Sequence, residues 1–239
     1  MPVSRKPKDH QSVPSPALAG RPLAKWVGDR LPRRIVVYVV VRDESASMRT
    51  WRQRQGEFIP QVAAHLIEVG GEKVGDLVYV AYFVVSGGVV ATDFVALNRA
   101  EDPAFIPDGQ TPIGEALSSV ADKCVEFLES RVFPEEVTVK NFEILIVSDL
   151  KATGEARDAT EAGVEKFVDM AKKCRAKVNL VGPSPEEMDE TLARRLDVNE
   201  RGVKYLDSDP TAVLNITFDS LLAASRPALG GSNPAVRIL

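Results

Sequence analysis

The segment Ile35–Val41 constrains the fold of this chain more than any other feature. It reads Ile-Val-Val-Tyr-Val-Val-Val, seven residues without polar alternation. A strand that is apolar on both sides has both of its faces buried, as in a parallel sheet with helices on each face. A helix that spans a membrane needs about 20 apolar residues. We therefore expect the first strand of a helix-covered sheet here, and not a membrane span.

The apolar patterns after this strand alternate between helical and strand spacing. The predicted elements are a helix over 58–69, strands over 77–85 and 89–95, a helix over 112–128, a strand over 142–147, a helix over 163–174, a strand over 178–181, a helix over 185–196, a strand over 203–206 and a helix over 211–224. The Gly-rich joint at 86–88 predicts a hairpin. The order predicts an α/β, doubly wound, mostly parallel sheet with one antiparallel edge strand and helices on both faces.

The two ends of the chain differ in composition from the middle. Residues 1–33 contain six prolines, and residues 1–34 hold eight Lys and Arg against two acids, although the whole chain has a net charge of −4. We expect a flexible, Pro-rich basic leader at 1–33, one domain at 34–225 and a flexible tail at 226–239. The domain is therefore acidic, which argues against a broad nucleic-acid-binding face outside the basic leader.

The first twenty residues lack the apolar segment of a secretory signal peptide. We therefore expect a cytoplasmic protein without a membrane partner. The chain has two cysteines and two histidines, too few for a zinc site rich in these residues. Two histidines also disfavour a His-based catalytic triad, although His65 could act singly.

Polar side chains cluster where ligand sites form in such sheets, beyond the carboxyl ends of the strands. Asp43, Ser45 and Ser47 follow the first strand, Thr111 precedes a predicted helix, and Asp149 follows a later strand. Two carboxylates and three hydroxyls are hard oxygen donors, which suit Mg²⁺, or else Mn²⁺ or Ca²⁺. A simpler alternative is that Asp43 caps the following turn while the serines bond backbone amides.

These motifs resemble those of the von Willebrand factor A (VWA) family. The matching fragments are Asp-x-Ser-x-Ser-Met from Asp43 to Met48, Thr-Pro-Ile-Gly from Thr111 and the strand-terminal Ser148-Asp149. In that family they form a metal-ion-dependent adhesion site. The resemblance covers about residues 34–225.

The resemblance also implies roles for the individual residues. Ser45, Ser47 and Thr111 would ligate the ion directly, and Asp43 and Asp149 would act largely through bound waters. An Asp or Glu from a partner protein would complete the octahedron. Glu44, Gln110 and Lys151 would form the rim that meets the partner.

Two positions depart from the family pattern. Leu150 and Lys151 follow Asp149, where family members commonly have Gly, and Glu44 stands where Thr is frequent. An exposed Glu44 would add negative potential beside the site, whereas Lys151 would weaken cation binding or pair with an acidic ligand.

Within the family, the segments around Gln110 and over 217–221 are most similar to bacterial tellurium-resistance (TerY-like) proteins. This similarity implies a cytoplasmic accessory subunit of a stress-response or defence complex, with an ATPase, kinase or phosphatase as partner.

Three functions follow from these observations. The first is a non-enzymatic interaction module that binds an acidic residue of a partner through Mg²⁺. The second is a structural subunit with a vestigial metal site, which assembles through its basic leader. The third is an Mg²⁺-dependent phosphatase, which is disfavoured because such chemistry needs a second carboxylate two residues after Asp43, where Ser45 stands.

Overall fold

The apolar run at 35–41 lies in one of the longest strands of the sheet, as expected for a parallel strand that is buried on both faces. The structure is a computed structural model that describes residues 34–51, 78–101, 103, 109–129, 138–213, 215–217 and 219. Strand β1 (Arg34–Asp43) pairs in parallel with β2 (Val78–Val85) on one side and with β5 (Thr138–Val147) on the other.

The rest of the sheet extends from this central group of strands. Strand β6 (Lys177–Gly182) pairs in parallel with β5, and β7 (Val203–Tyr205) pairs in parallel with β6. Strands β3 (Val89–Ala91) and β4 (Val95–Ala96) both pair antiparallel with β2. The sheet order is β3-β2-β1-β5-β6-β7, with β4 also on β2. The predicted fold class and its antiparallel edge are confirmed.

Helices cover both faces of this sheet. Helices α1 (Ile113–Glu129), α2 (Arg157–Lys173) and α3 (Glu190–Leu196) pack on the face that holds Val37, Val39 and other odd-numbered β1 residues. The opposite face carries the even-numbered residues of β1. These residues pack against short helical turns at Ala46–Met48 and Leu97–Arg99 and against a final helix that begins at Ala212.

One buried hydrogen bond attaches the final helix to the central strand. The Tyr38 hydroxyl lies 2.8 Å from the Thr217 hydroxyl, and both residues have no exposed surface. Burial raises the pKa of Tyr38 far above its ordinary value, so the phenol stays neutral and able to donate.

Two predicted elements differ from the structure. The strand expected over 89–95 is split into β3 and β4, because the Thr92 side chain accepts the Tyr82 N–H at 2.9 Å and takes the place of a strand partner. The helix expected over 185–196 begins only at Glu190, because the Asp189 carboxylate caps it by accepting the Leu192 N–H at 2.9 Å.

Other predictions fall where the structure describes little or nothing. The leader at 1–33, the tail at 226–239 and the helix over 58–69 all lie outside the described residues. Within the described residues, no helix combines the length and the apolar character needed to cross a membrane.

Candidate metal site

The ends of β1 and β5 meet at the centre of the sheet edge. Asp43 is the last residue of β1, and its neighbour Arg42 is in register with Val147 at the end of β5. Ser148 therefore lies beside Asp43, and its hydroxyl donates to Asp43 Oδ2 at 2.6 Å. The parallel register places two segments, 105 positions apart in the chain, in direct contact.

The turn after β1 brings three polar side chains of one segment together. Asp43 Oδ1 accepts the Ser45 N–H at 2.9 Å, and the Ser45 and Ser47 hydroxyl oxygens are 3.1 Å apart. The Met48 N–H donates to the Ser45 carbonyl at 3.0 Å and closes the turn. The cap by Asp43 that the simpler alternative requires is therefore present, whereas the serine–amide bonds of that alternative do not occur among the described residues, where the two serine hydroxyls bond each other.

The hairpin turn between β2 and β3 holds the segment that contains Thr111 at the same edge. The Gly87 N–H donates to the Gln110 carbonyl at 2.8 Å. Gly109 has a φ of +85° and lies so close to the hairpin that an added Cβ would be 2.7 Å from Gly87 Cα. Both glycines have a positive φ, which residues other than glycine rarely adopt. Thr111 is consequently buried at the start of α1, 2% exposed.

The backbone after β5 fixes the second carboxylate. Asp149 Oδ1 accepts the Lys151 N–H at 3.0 Å, and the Asp149 carbonyl accepts the Asp189 N–H at 2.9 Å. Among the residues that the structure describes, none donates a hydrogen bond to Asp149 Oδ2. This oxygen therefore keeps its lone pairs for another ligand.

Leu150 occupies the position where the VWA family commonly has glycine, and it keeps the conformation that glycine favours. Its φ is +59°, in the left-handed region, while its side chain is fully buried in the core. Its N–H donates to the Ser148 hydroxyl at 2.9 Å. A residue other than glycine thus forms the left-handed turn, and burial of the leucine offsets the cost of its φ.

Within the residues that the structure describes, both carboxylates of the site are buried away from opposite charge. Asp43 and Asp149 are 1% and 2% exposed, and in the described part of the chain neither forms an ion pair with Lys or Arg. Burial raises the pKa of Asp43 to about 6; hydrogen bonds from Ser148 and Ser45 oppose this shift, and the charge of Asp149 adds to it. Buried carboxylates without a counter-charge are unfavourable unless they take up a proton or a positive ion neutralises them.

The available donors fit a hard divalent ion. Across the described ranges there is no group of three His, Cys, Asp or Glu side chains able to hold a metal. The candidate donors for a metal at this edge are therefore oxygens, namely the two carboxylates and the hydroxyls of Ser45, Ser47 and Thr111. Such an all-oxygen set suits Mg²⁺, Mn²⁺ or Ca²⁺.

The three expected rim residues have different environments. Gln110 and Lys151 are exposed, as a rim requires. The exposure expected for Glu44 is wrong: its carboxylate is fully buried and forms an ion pair with Arg42 at 2.6 Å. The pair lies on the sheet face opposite Asp43, since Arg42 also donates to the Pro103 carbonyl at 2.9 Å and stacks over the Tyr82 ring. Glu44 therefore does not belong to the exposed rim.

Three residues near the site were not identified from the sequence as contributors. Ser148 donates to Asp43, Thr153 bonds the backbone of Thr111, and Glu155 accepts hydrogen bonds from the start of α1. The strand-terminal position of Ser148 was a usable signal, because its register with Asp43 follows from a parallel β1–β5 pair. The hydrogen bonds of Thr153 and Glu155 join positions about 40 residues apart in the chain. A capping pattern is local in sequence and therefore does not reveal them.

Comparison of the sequence with protein-family models and with curated proteins finds no match. The fold, in contrast, is similar to solved structures. Proximal thread matrix protein 1 from the mussel byssus, with a zinc-occupied MIDAS motif, has a TM-score of 0.54 and 15% identity, over 79% of this chain and 48% of that chain. A von Willebrand factor type A structure from Catenulispora acidiphila has a TM-score of 0.50 and 14% identity, over 79% and 42%.

The pilus adhesin SpaC from Lactobacillus rhamnosus GG, in an open conformation, has a TM-score of 0.50 and 13% identity, over 79% of this chain and 30% of that chain. The chain thus spans less than half the length of each of these structures. At these identities the likeness concerns the fold alone, and it identifies a VWA-like α/β fold.

Proposed function

We propose that this protein is an interaction module that binds a carboxylate of a partner protein through a divalent cation, Mg²⁺ or else Mn²⁺ or Ca²⁺. Ser45, Ser47 and Thr111 hold the cation directly, and Asp43 and Asp149 hold it largely through water. The observation that carries the proposal is the pair of buried carboxylates without a Lys or Arg partner in the described part of the chain. A cation at this edge supplies the missing positive charge.

Recognition then depends on one strong contact. A carboxylate and a divalent cation attract each other strongly where water is excluded, so that a single Asp or Glu anchors the partner. Lys151 is exposed, and none of the described residues forms an ion pair with it. It is therefore available to a second acidic group of the same partner, while Gln110 offers a neutral hydrogen-bonding group on the rim.

The proposal is for a protein without catalytic activity. An Asp-based phosphatase would need an acid or base two residues after Asp43, and Ser45 stands there. The neighbouring Glu44 does not replace it, because it is buried in an ion pair with Arg42 on the other face of the sheet. Similarity of fold to an adhesin and a matrix protein agrees with a binding role.

We further propose a cytoplasmic location and a bacterial stress-response or defence complex, with an ATPase, kinase or phosphatase as the partner. This part of the proposal rests on the resemblance of the segments around Gln110 and over 217–221 to tellurium-resistance (TerY-like) proteins.

Affinity purification of the tagged full chain from its native cells tests the function. Partners retained in Mg²⁺ should be released by EDTA and absent from the Thr111→Ala variant, whereas Thr111→Ser, which keeps the hydroxyl, should retain them. Circular dichroism of each variant checks that the fold is unchanged. Retention of the same proteins by Thr111→Ala and in EDTA would refute metal-bridged binding.

A further inference from the structure

Thr153, in the loop between β5 and α2, exchanges two hydrogen bonds with the backbone of Thr111. The Thr111 N–H donates to the Thr153 hydroxyl at 2.8 Å, and the Thr153 N–H donates to the Thr111 carbonyl at 3.0 Å. This reciprocal pair joins residues that are 42 positions apart. The position of Thr111 is thus set by the loop that follows Asp149 as well as by its own helix.

The same loop supplies the cap of α1. Glu155 Oε1 accepts the Gly114 N–H at 2.7 Å, and Glu155 Oε2 accepts the Glu115 N–H at 3.2 Å. These N–H groups belong to the first helical turn, where no carbonyl of the helix itself is available to accept them. The Thr160 hydroxyl donates to Glu155 Oε1 at 2.9 Å and orients the carboxylate.

The two helices are in backbone contact beside this cap. A Cβ on Gly163 in α2 would overlap the Gly114 carbonyl, and a Cβ on Gly114 would overlap Thr160 Cα. At this contact neither helix has space to shift towards the other. The relative position of α1 and the 153–160 segment is therefore defined by packing as well as by hydrogen bonds.

The charge of Glu155 also affects any cation near Thr111. The N-terminus of a helix carries roughly half a positive charge, which repels a cation bound just ahead of it. Thr111 lies two residues before the first residue of α1. A carboxylate on the first N–H groups of this helix offsets that positive charge, yet it is engaged by the helix and does not act as a metal ligand.

We infer that Thr153 and Glu155 are positioning residues of the metal site: they fix Thr111 at the sheet edge, and Glu155 offsets the positive helix end beside the cation. This inference rests on the proposed function. On this inference, the metal affinity depends on the loop between β5 and α2, in which Asp149 is the only residue proposed to hold the metal.

Manganese binding to the full-length protein, measured by isothermal titration calorimetry, tests the inference. Glu155→Gln keeps one acceptor but loses the charge and the bond from the Glu115 N–H, and the dissociation constant for Mn²⁺ should rise about 10-fold, the lower range for residues that orient metal ligands. Glu165→Gln is the matched control, because Glu165 is exposed on α2 and the change in net charge is the same. Thr153→Val should also weaken binding, and Thr153→Ser should restore it.

Urea unfolding in EDTA separates positioning from a purely structural role. If Glu155→Gln lowers stability but binds Mn²⁺ within twofold of Glu165→Gln, the inference is wrong while the proposed function stands. If the unsubstituted protein binds no Mn²⁺, both are wrong. Should Glu155→Gln fail to fold, the comparison of Thr153→Val with Thr153→Ser decides, because both leave the cap intact.

Discussion

Replacement of Asp43 by Asn should stabilise the metal-free protein at neutral pH. Burial raises the pKa of Asp43 from 3.8 to about 6, so the folded state favours the protonated carboxyl more than the unfolded state does. The stability that this group contributes is complete below pH 3.8 and is lost as the pH rises through about 6. At pH 8 the folded protein therefore carries a buried charge that Asn would remove.

The magnitude follows from the size of the shift. A change from 3.8 to about 6 corresponds to about 3 kcal/mol, at about 1.4 kcal/mol for each pKa unit. We expect the free energy of unfolding of Asp43→Asn in EDTA at pH 8 to exceed that of the unsubstituted protein by up to about 3 kcal/mol. The difference should shrink towards zero near pH 4. Urea denaturation, followed by circular dichroism at both pH values, measures it.

Divalent cations should offset this difference in stability. At a Mn²⁺ concentration 100 times its dissociation constant, the unsubstituted protein gains about 2.7 kcal/mol, and Asp43→Asn should gain much less. Asp169→Asn, at an exposed position on α2, controls for the change in net charge. The reasoning is refuted if Asp43→Asn is the less stable protein in EDTA at pH 8, or if Mn²⁺ stabilises both proteins equally.

Three further comparisons test the packing of the fold, each by urea denaturation. Leu150→Gly relieves the φ of +59° but removes a fully buried side chain, so we expect a net loss of about 1–3 kcal/mol; a gain would contradict this account. Gly163→Ala should lower the free energy of unfolding by more than about 2 kcal/mol, because its Cβ overlaps the Gly114 carbonyl. Its control, Gly88→Ala, should lower the free energy of unfolding by less than about 1 kcal/mol, because no atom lies within 4 Å of an added Cβ. Tyr38→Phe should cost about 1–3 kcal/mol by leaving the Thr217 hydroxyl unpaired, and the double variant with Thr217→Val should cost less than the sum of the single changes.

The sheet could be predicted because the sequence patterns that indicate it, apolar runs and turn residues, are local or periodic. The continuous apolar run in β1 indicates burial on both faces, and its odd and even residues do pack in two separate clusters. The Gly-rich joint at 86–88 predicts the hairpin from turn chemistry alone. The edge that carries Asp43 and Asp149 follows from the parallel pairing of the two strands that precede them.

The details that escaped prediction depend on contacts between distant segments. Glu44 is buried in an ion pair with Arg42, which itself contacts Pro103 and Tyr82 from distant segments of the chain. The cap by Glu155 depends on how closely α1 and α2 approach. Leu150 shows that a residue other than glycine keeps a left-handed turn when the core buries its side chain.

The most direct test of the account is an anomalous difference map from crystals of the full-length protein grown with Mn²⁺. We predict one strong peak at the carboxyl edge of the sheet, about 2.0–2.6 Å from the hydroxyl oxygens of Ser45, Ser47 and Thr111, with an open coordination position towards solvent. A map without a peak at these three oxygens, at a Mn²⁺ concentration of several millimolar, would contradict the account.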